Sequence, residues 1–348
     1  MTCVDLNASD AVVGCISGLR FEQIAPWVGS LDACGFRGRR IVIHVGTAPQ
    51  TVAELDRRGY ETYDASCLHS AGNGILNEHP RHAEISVNRF YYIWYFLSQI
   101  AVVSDPRYVM AIDVGDVVFQ RNPSLWLEQN LGEKRLVVGC ESLRFEDEPW
   151  NAGTMQDCYG PHVWKAYRHK LIYNAGTIAG EFRTIMDLCL QVYLLSPGDR
   201  VLYSDQQALN VLLGSKVYQE VTCFASSEDG WACQAGTTAD PDLLQKVRPH
   251  LTCPSPLFDG EIVRTAAGEI FTLVHQYNRV PEWDLAFKER YGVAPTRADT
   301  LGPHSPEYGT RPSTPRSTQP GWARNLLAPL PEPAKSVLRK MYRLGSGH

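Results

Sequence analysis

Short, almost uninterrupted apolar runs alternate with longer stretches of helical period through the first part of the chain. Ala11–Ser17, AVVGCIS, reads as a buried strand followed by Gly18 and a helical pattern over Phe21–Cys34, which Gly35 and Gly38 end. Arg40–Val45 predicts a second strand, Thr51–Arg58 a short helix closed by Gly59, and Tyr60–Tyr63 a third strand. Strand and helix in strict alternation are the signature of parallel βαβ units, so an α/β fold with a mixed, mostly parallel sheet is expected. Nothing matches GxGxxG, which removes support for a dinucleotide-binding motif.

Ser66–Ala83 has the Gly, Asn, His and Pro content of a loop, and Ile85–Ser104 predicts a long helix. Its Phe90, Tyr91, Trp94 and Tyr95 read as packing rather than a base-stacking platform. Tyr108–Ile112 and Leu136–Cys140 are further buried strands, the second running into Glu141, and Val117–Gln120 is a short one. Arg144–Gly160 shows no clear period and reads as an irregular loop. Leu171–Ile178 is a strand interrupted at Asn174-Ala175-Gly176, and Phe182–Leu195 has helical periodicity. Asp205–Leu213 starts a helix with Ser204 as N-cap and Gln207 three residues on. Val217–Phe224 and Ile270–His275 are the last strand candidates.

From Pro295 the pattern stops. Nine of the 22 prolines fall between Pro295 and Pro333, among Ser, Thr and Arg, as in an extended linker. In Ala334–Leu344, Val337, Leu338, Met341 and Leu344 share one helical face, with Lys335, Arg339, Lys340 and Arg343 on the others. The expected plan is therefore a folded domain over 1–294, a proline-rich linker over 295–333 and a basic amphipathic helix over 334–348. Such a helix can touch an anionic membrane or a partner, or dock on its own domain.

Composition narrows the class. At 44% hydrophobic and 20% charged the 348 residues are ordinary globular material, and a net charge of -5 gives no footprint for nucleic acid. The ten cysteines are scattered singly and form no CxxC pair, so buried thiols in a reducing compartment are expected rather than disulfides or a zinc knuckle. The first residues, MTCVDLNASD, lack a basic region followed by an apolar core, and the most apolar stretch, Phe90–Val103, is shorter than a bilayer span. A cytoplasmic protein is expected, with peripheral membrane contact as one of the roles open to its last helix.

The candidate chemistry centres on Asp113-Val114-Gly115-Asp116, which closes the strand Tyr108–Ile112. On a straight strand these two carboxylates would point to opposite faces. Gly115 lets the backbone turn, so that Asp116 swings back beside Asp113 and the pair can hold a hard metal ion. An acidic turn with only a local capping role would look the same. Three other pieces sit at element ends: Arg89, Asn174-Ala175-Gly176 with Asp205-Gln206, and His275-Gln276-Tyr277-Asn278-Arg279. His275 could equally be a satisfied core histidine, Arg89 and Arg279 ordinary ion-pair partners, and Asp205 a helix N-terminal residue.

Together these pieces resemble the GT-A superfamily of nucleotide-sugar glycosyltransferases. An acidic pair of the DxxD type with a late histidine is similar to the glycosyltransferase domain of the collagen lysyl hydroxylases. The segments YNAG and DQQALN, with Arg89 on the helix before the acidic strand, resemble the glycogenin and lipopolysaccharide galactosyltransferase family. The likeness spans roughly Ala11 to Trp283. The chain departs from the pattern where DxxD replaces DxD and where Gln207 replaces the third residue of DQD. The late motif HxxGxxKPW is also reduced to His275 and Trp283, leaving Arg279 to replace the missing lysine at a diphosphate.

The resemblance implies a hexosyltransferase of polysaccharide biosynthesis that uses Mn²⁺ or Mg²⁺ and a UDP-sugar, with a glycan, lipid-linked saccharide or protein as acceptor. Asp113, Asp116 and His275 would be the metal ligands, and an imidazole suits Mn²⁺ better than Mg²⁺. Arg89, Asn174, Gly176 and Arg279 would hold the donor, with Ser17 near its base. Asp205, Gln206 and Glu141 would act at the reacting centre or the acceptor. A nucleotide-sugar binder without turnover on the same fold, and a metal-dependent phosphohydrolase using the acidic pair, are the alternative readings.

Overall fold

In a computed structural model of the chain, residues 9–66, 68, 85–101, 105–197 and 201–292 are described. All belong to the unit Met1–Ala294. The expected linker 295–333, the basic helix 334–348, most of the loop Ser66–Ala83 and the end of the helix Ile85–Ser104 lie outside the described residues.

The strands are β1 (Ala11–Ser17), β2 (Arg39–Val45), β3 (Glu61–Asp64), β4 (Tyr108–Ile112), β5 (Val117–Phe119), β6 (Leu136–Arg144) and β7 (Leu171–Tyr173). They continue with β8 (Thr177–Glu181), β9 (Thr222–Ala225), β10 (Ala232–Gln234), β11 (Leu257–Phe258), β12 (Val263–Arg264) and β13 (Leu273–His275). An eight-stranded sheet runs β3-β2-β1-β4-β8-β6-β7, with β9 also on β6. Its first half is parallel, as the βαβ pattern requires, and so is the β6–β9 pair. β8 runs antiparallel to both β4 and β6. A smaller sheet, β10-β13-β5, joins two strands from late in the folded unit to the short strand that follows β4.

Alternation along the parallel strands divides the core between the two faces. Ala11 and Val13 on β1, with Ile41 and Ile43 on β2, join the helices Ile85–Ile100 and Phe182–Leu195. Their neighbours Val12, Ile16 and Val42 face the helix Phe21–Ala33, whose Trp27 is fully buried and packs edge-on to Phe119 at 5.8 Å. Each fully buried side chain of this size stabilises the fold by roughly 1.5–3 kcal/mol. The eight described cysteines are free, and burial pushes Cys140, Cys189 and Cys233 up to about 12, so these three stay thiols. Among the described residues no helix is long and apolar enough to cross a membrane.

Several elements differ from the sequence reading. The stretch 144–160 is a 3₁₀ turn, Phe145–Asp147, followed by the helix Pro149–Tyr167. Two interior residues hid its period: Gly160 leaves the helix with φ 76°, and Pro161 restarts it. Its start carries a legible signal, Glu148 as N-cap with proline at the first helical position. Val217–Phe224 divides into a helix, Lys216–Val221, and β9, because Ser215 caps the backbone N–H of Tyr218. Ser204 makes no side-chain cap, because its backbone is already helical at φ -81° and ψ -7° rather than extended.

Where β8 passes between its neighbours there is no room for a side chain. A Cβ on Gly180 would collide with the Arg135 carbonyl oxygen and lie 2.9 Å from Leu136 Cα. Backbone cannot yield as a flexible side chain can. Gly180→Ala should therefore lower unfolding stability by about 1–3 kcal/mol, seen as a lower urea midpoint; an unchanged midpoint would mean that the strands part there without cost.

Candidate functional site

The acidic turn is built by packing below it and pairing on either side. β4 leaves the sheet at Ile112, and Val114 lies over Gly14 of β1, in space that a Cβ there would fill. Gly115 has φ 110°, a conformation costly for any residue with a Cβ. Asp113 N donates to Gly176 O at 2.9 Å, and Gln276 N donates to Asp116 O at 2.7 Å. β5 begins directly after Asp116 and pairs antiparallel with β13, in a register that sets Val117 opposite His275.

The three expected ligands consequently meet. His275 Nε2 is 3.5 Å from Asp116 Oδ2 and 3.8 Å from Asp113 Oδ2. Asp113, Asp116 and His275 offer ligand atoms that all lie within 4.8 Å of one another. Donor atoms about 2.1 Å from one ion lie roughly 3 to 4.2 Å apart, and both histidine–carboxylate distances fall in that range. Burial pushes the Asp116 carboxyl up, but His275, Arg89 and Arg279 outweigh it and hold it below the usual carboxylate range.

Arg89 sits on the helix Ile85–Ile100, its guanidinium over the Phe90 ring. One nitrogen, Nη1, donates to Asp113 Oδ1. The other, Nη2, donates to Ala175 O at 3.1 Å and to Asp205 Oδ2 at 3.0 Å. Arg89 therefore occupies the Asp113 oxygen that faces away from His275 and leaves Oδ2 toward the metal position. Asp205 opens the helix Asp205–Leu213; burial raises its carboxyl above the ordinary range against the pull of Arg89 and of backbone N–H groups.

Asn174, Gly176, Gln206 and Glu141 form one hydrogen-bonded group beside this cluster. Asn174 Oδ1 accepts from Gly176 N at 2.6 Å, the side-chain turn that Asn makes readily. Asn174 Nδ2 donates to Glu141 Oε1 at 2.8 Å and to Gln206 Oε1 at 3.2 Å. Gly176 was expected to give a donor sugar close access to the backbone. Its missing side chain makes room first for Asp113 and His275, since a Cβ would lie 2.5 Å from Asp113 Oδ2 and 2.9 Å from His275 Cε1.

The remaining candidates lie further out. Arg279 follows in the turn Tyr277–Arg279, near enough to Asp116 to act on its carboxyl. Ser17 ends β1 opposite Val45, at the same edge of the sheet as the acidic turn, and makes no hydrogen bond to the cluster. Trp283 packs at 5.5 Å on Phe258 in a small core with Phe287.

Sequence reasoning missed three polar residues that support the group. Asn151 Oδ1 accepts from Gln206 Nε2 at 2.9 Å and from Gln207 Nε2 at 3.0 Å. Glu148 accepts from Asn151 Nδ2 at 2.8 Å. Gln234 Oε1 lies 2.8 Å from His275 Nδ1. The first two fell in the stretch read as a loop. The third ends the three-residue strand β10, too short for a periodic signal, and its only mark is a glutamine following an apolar run.

No protein-family model matches the chain, and no curated protein matches it. Among solved structures, it is similar to the galactosyltransferase LgtC in complex with donor and acceptor sugar analogs. That match has 16% identity and a TM-score of 0.45, and covers 82% of this chain and 97% of that one. It is similar also to an active-site mutant of LgtC, with 16% identity, a TM-score of 0.42, and 76% and 86% of the two chains covered.

The crowding at Gly176 has a measurable consequence. Gly176→Ala should push Asp113 and His275 apart and weaken Mn²⁺ binding on the order of tenfold or more. Titration calorimetry reads this directly. Binding equal to that of the unsubstituted protein would show that the three ligand atoms do not share one ion.

Proposed function

We propose that this chain is a metal-dependent glycosyltransferase that moves a hexose from a UDP-sugar to a hydroxyl of a glycan, a lipid-linked saccharide or a protein. The observation that supports it most is the meeting of Asp113, Asp116 and His275 within 4.8 Å, beside an arginine and a set of amides suited to a sugar. A divalent cation bound there supplies positive charge to the diphosphate as the glycosidic bond breaks. Asp113, Asp116 and His275 would hold such an ion, and with only three protein ligands it would have room for phosphate oxygens.

The chain's own groups then divide the work. Arg89 holds Asp113 in place and fixes which of its oxygens faces the metal position. Arg279, near enough to Asp116 to act on its carboxyl, brings a guanidinium suited to a phosphate. Asn174, Gln206 and Asp205 present amide and carboxylate groups to the hydroxyls of the donor sugar. Glu141 accepts a hydrogen bond from the Asn174 amide and is assigned to the acceptor in this reading. Ser17, at the end of β1, borders the place for the base. The basic stretch Ala334–Leu344 would suit an acceptor carried on a membrane surface.

Asp116 tests the reading cleanly, because its side chain is 30% exposed and its loss leaves no large void. Asp116→Ala should keep the thermal midpoint of the metal-free protein. It should lower Mn²⁺-dependent UDP release from a UDP-sugar by about 100-fold or more. Undiminished release would remove the metal site from the reaction. Mn²⁺-dependent binding of UDP with no release by the unsubstituted chain would favour a nucleotide-sugar binder instead.

A further inference from the structure

We infer that Gln234 is a positioning residue for the metal site: its side-chain oxygen accepts the Nδ1 hydrogen of His275 and so turns the Nε2 lone pair toward the cation. The inference rests on the metal-site reading above and adds a residue to it.

Gln234 is fully buried and ends β10, which pairs in parallel with β13 in a register that sets Gln234 beside His275. Its Oε1 lies 2.8 Å from His275 Nδ1, and its Nε2 donates to Thr177 Oγ1 at 2.9 Å. Thr177 is itself fixed, as its carbonyl oxygen accepts from Trp231 Nε1 at 2.9 Å. The slot around the amide is narrow. A Cβ on Gly139 would lie 2.8 Å from Gln234 Nε2 and 3.2 Å from Thr177 Oγ1.

A neutral imidazole carries one ring hydrogen, and the partner of one nitrogen decides what the other can do. On the Nε2 side His275 faces Asp113 and Asp116, the positions that share the ion. For Nε2 to act as a ligand, the hydrogen must sit on Nδ1, where the ring is buried and water cannot receive it. An acceptor must therefore be built in, and Gln234 Oε1 stands at hydrogen-bond distance. The same contact fixes the ring plane, so that the lone pair points between the two carboxylates rather than past them.

The test compares Gln234→Met, which keeps the length of the side chain but has no acceptor of comparable strength, with Gln234→Glu, which keeps one. Mn²⁺ affinity is measured by electron paramagnetic resonance on the full chain, and thermal midpoints without metal confirm folding. Outer-shell partners of metal-bound histidines typically contribute 10–100-fold in affinity. Gln234→Met should bind Mn²⁺ about 10–100-fold more weakly at a near-constant midpoint, while Gln234→Glu stays within a few-fold. With Zn²⁺ as a diamagnetic probe, ¹⁵N resonances should show His275 bearing its hydrogen on Nδ1 in the unsubstituted protein. Mn²⁺ affinity retained in Gln234→Met, or a hydrogen on Nε2 in the Zn²⁺ form, would overturn the inference while leaving the metal site standing. Failure of the unsubstituted chain to bind Mn²⁺ at all would overturn the metal site, and this inference with it.

Discussion

Three carboxylates converge on one partly buried cluster, and a single guanidinium holds two of them. Asp113 and Asp205 both bond to Arg89, while Asp116 Oδ2 lies 3.5 Å from His275 Nε2. Like charges about 4 Å apart repel by roughly 4 kcal/mol at the effective dielectric of a protein surface. Arg89 offsets part of that, and Arg279 acts from further out. What is left is a local concentration of acidic groups around the point where Asp113, Asp116 and His275 meet, brought together from a turn, a helix start and a strand end. A divalent cation suits such a group.

The fold produces that concentration by ending several elements at one edge. β4 stops at Ile112 and the helix Asp205–Leu213 starts at its acidic residue. The NAG turn joins β7 to β8, and β13 reaches the same place from the smaller sheet. Pairing of β5 with β13 is the step that links the two sheets, because β5 is the direct continuation of the acidic turn. The register of three residues therefore decides whether an imidazole stands over the carboxylates. Immediately afterwards the chain turns through Gln276, a non-glycine residue at φ 57°, whose N–H is bonded to Asp116 O. That bond ties the far end of the ligand strand back to the acidic turn.

What the sequence reveals of this follows from how local each signal is. β1, β2 and β4 are buried on both faces and read as short apolar runs, so their positions were legible. The acidic pair was legible for the same reason, since it closes such a run and contains the one residue type that turns easily. Arg89, Asn174, Asp205 and His275 could be singled out because each starts, ends or interrupts a predicted element. The supporting residues could not. Asn151 lies in a helix whose period Gly153, Gly160 and Pro161 obscure, and Gln234 lies in a strand of three residues. Their importance comes from what stands opposite them in space, which no pattern along the chain encodes.

The amides beside the site show how far such spatial constraints reach. Glu148 is wholly buried, and its carboxylate accepts backbone N–H groups from Trp150 and Asn151 as the cap of its helix. It can offer Asn151 only acceptor atoms, so the Asn151 side chain must turn its nitrogen toward Glu148 and its oxygen away. Gln206 must then donate to that oxygen, and its own oxygen faces Asn174. The other end of the chain of bonds imposes the same polarity independently. Asn174 Oδ1 is taken by the Gly176 N–H, so its nitrogen is what faces Gln206 and Glu141. Two fixed ends that agree leave the Gln206 amide one orientation. The departure at Gln207 fits this arrangement. Gln207 gives Asn151 Oδ1 a second donor at 3.0 Å, whereas an aspartate there would set a carboxylate against a carbonyl oxygen, and the loss of that donor would loosen the residue on which the polarity of Gln206 turns.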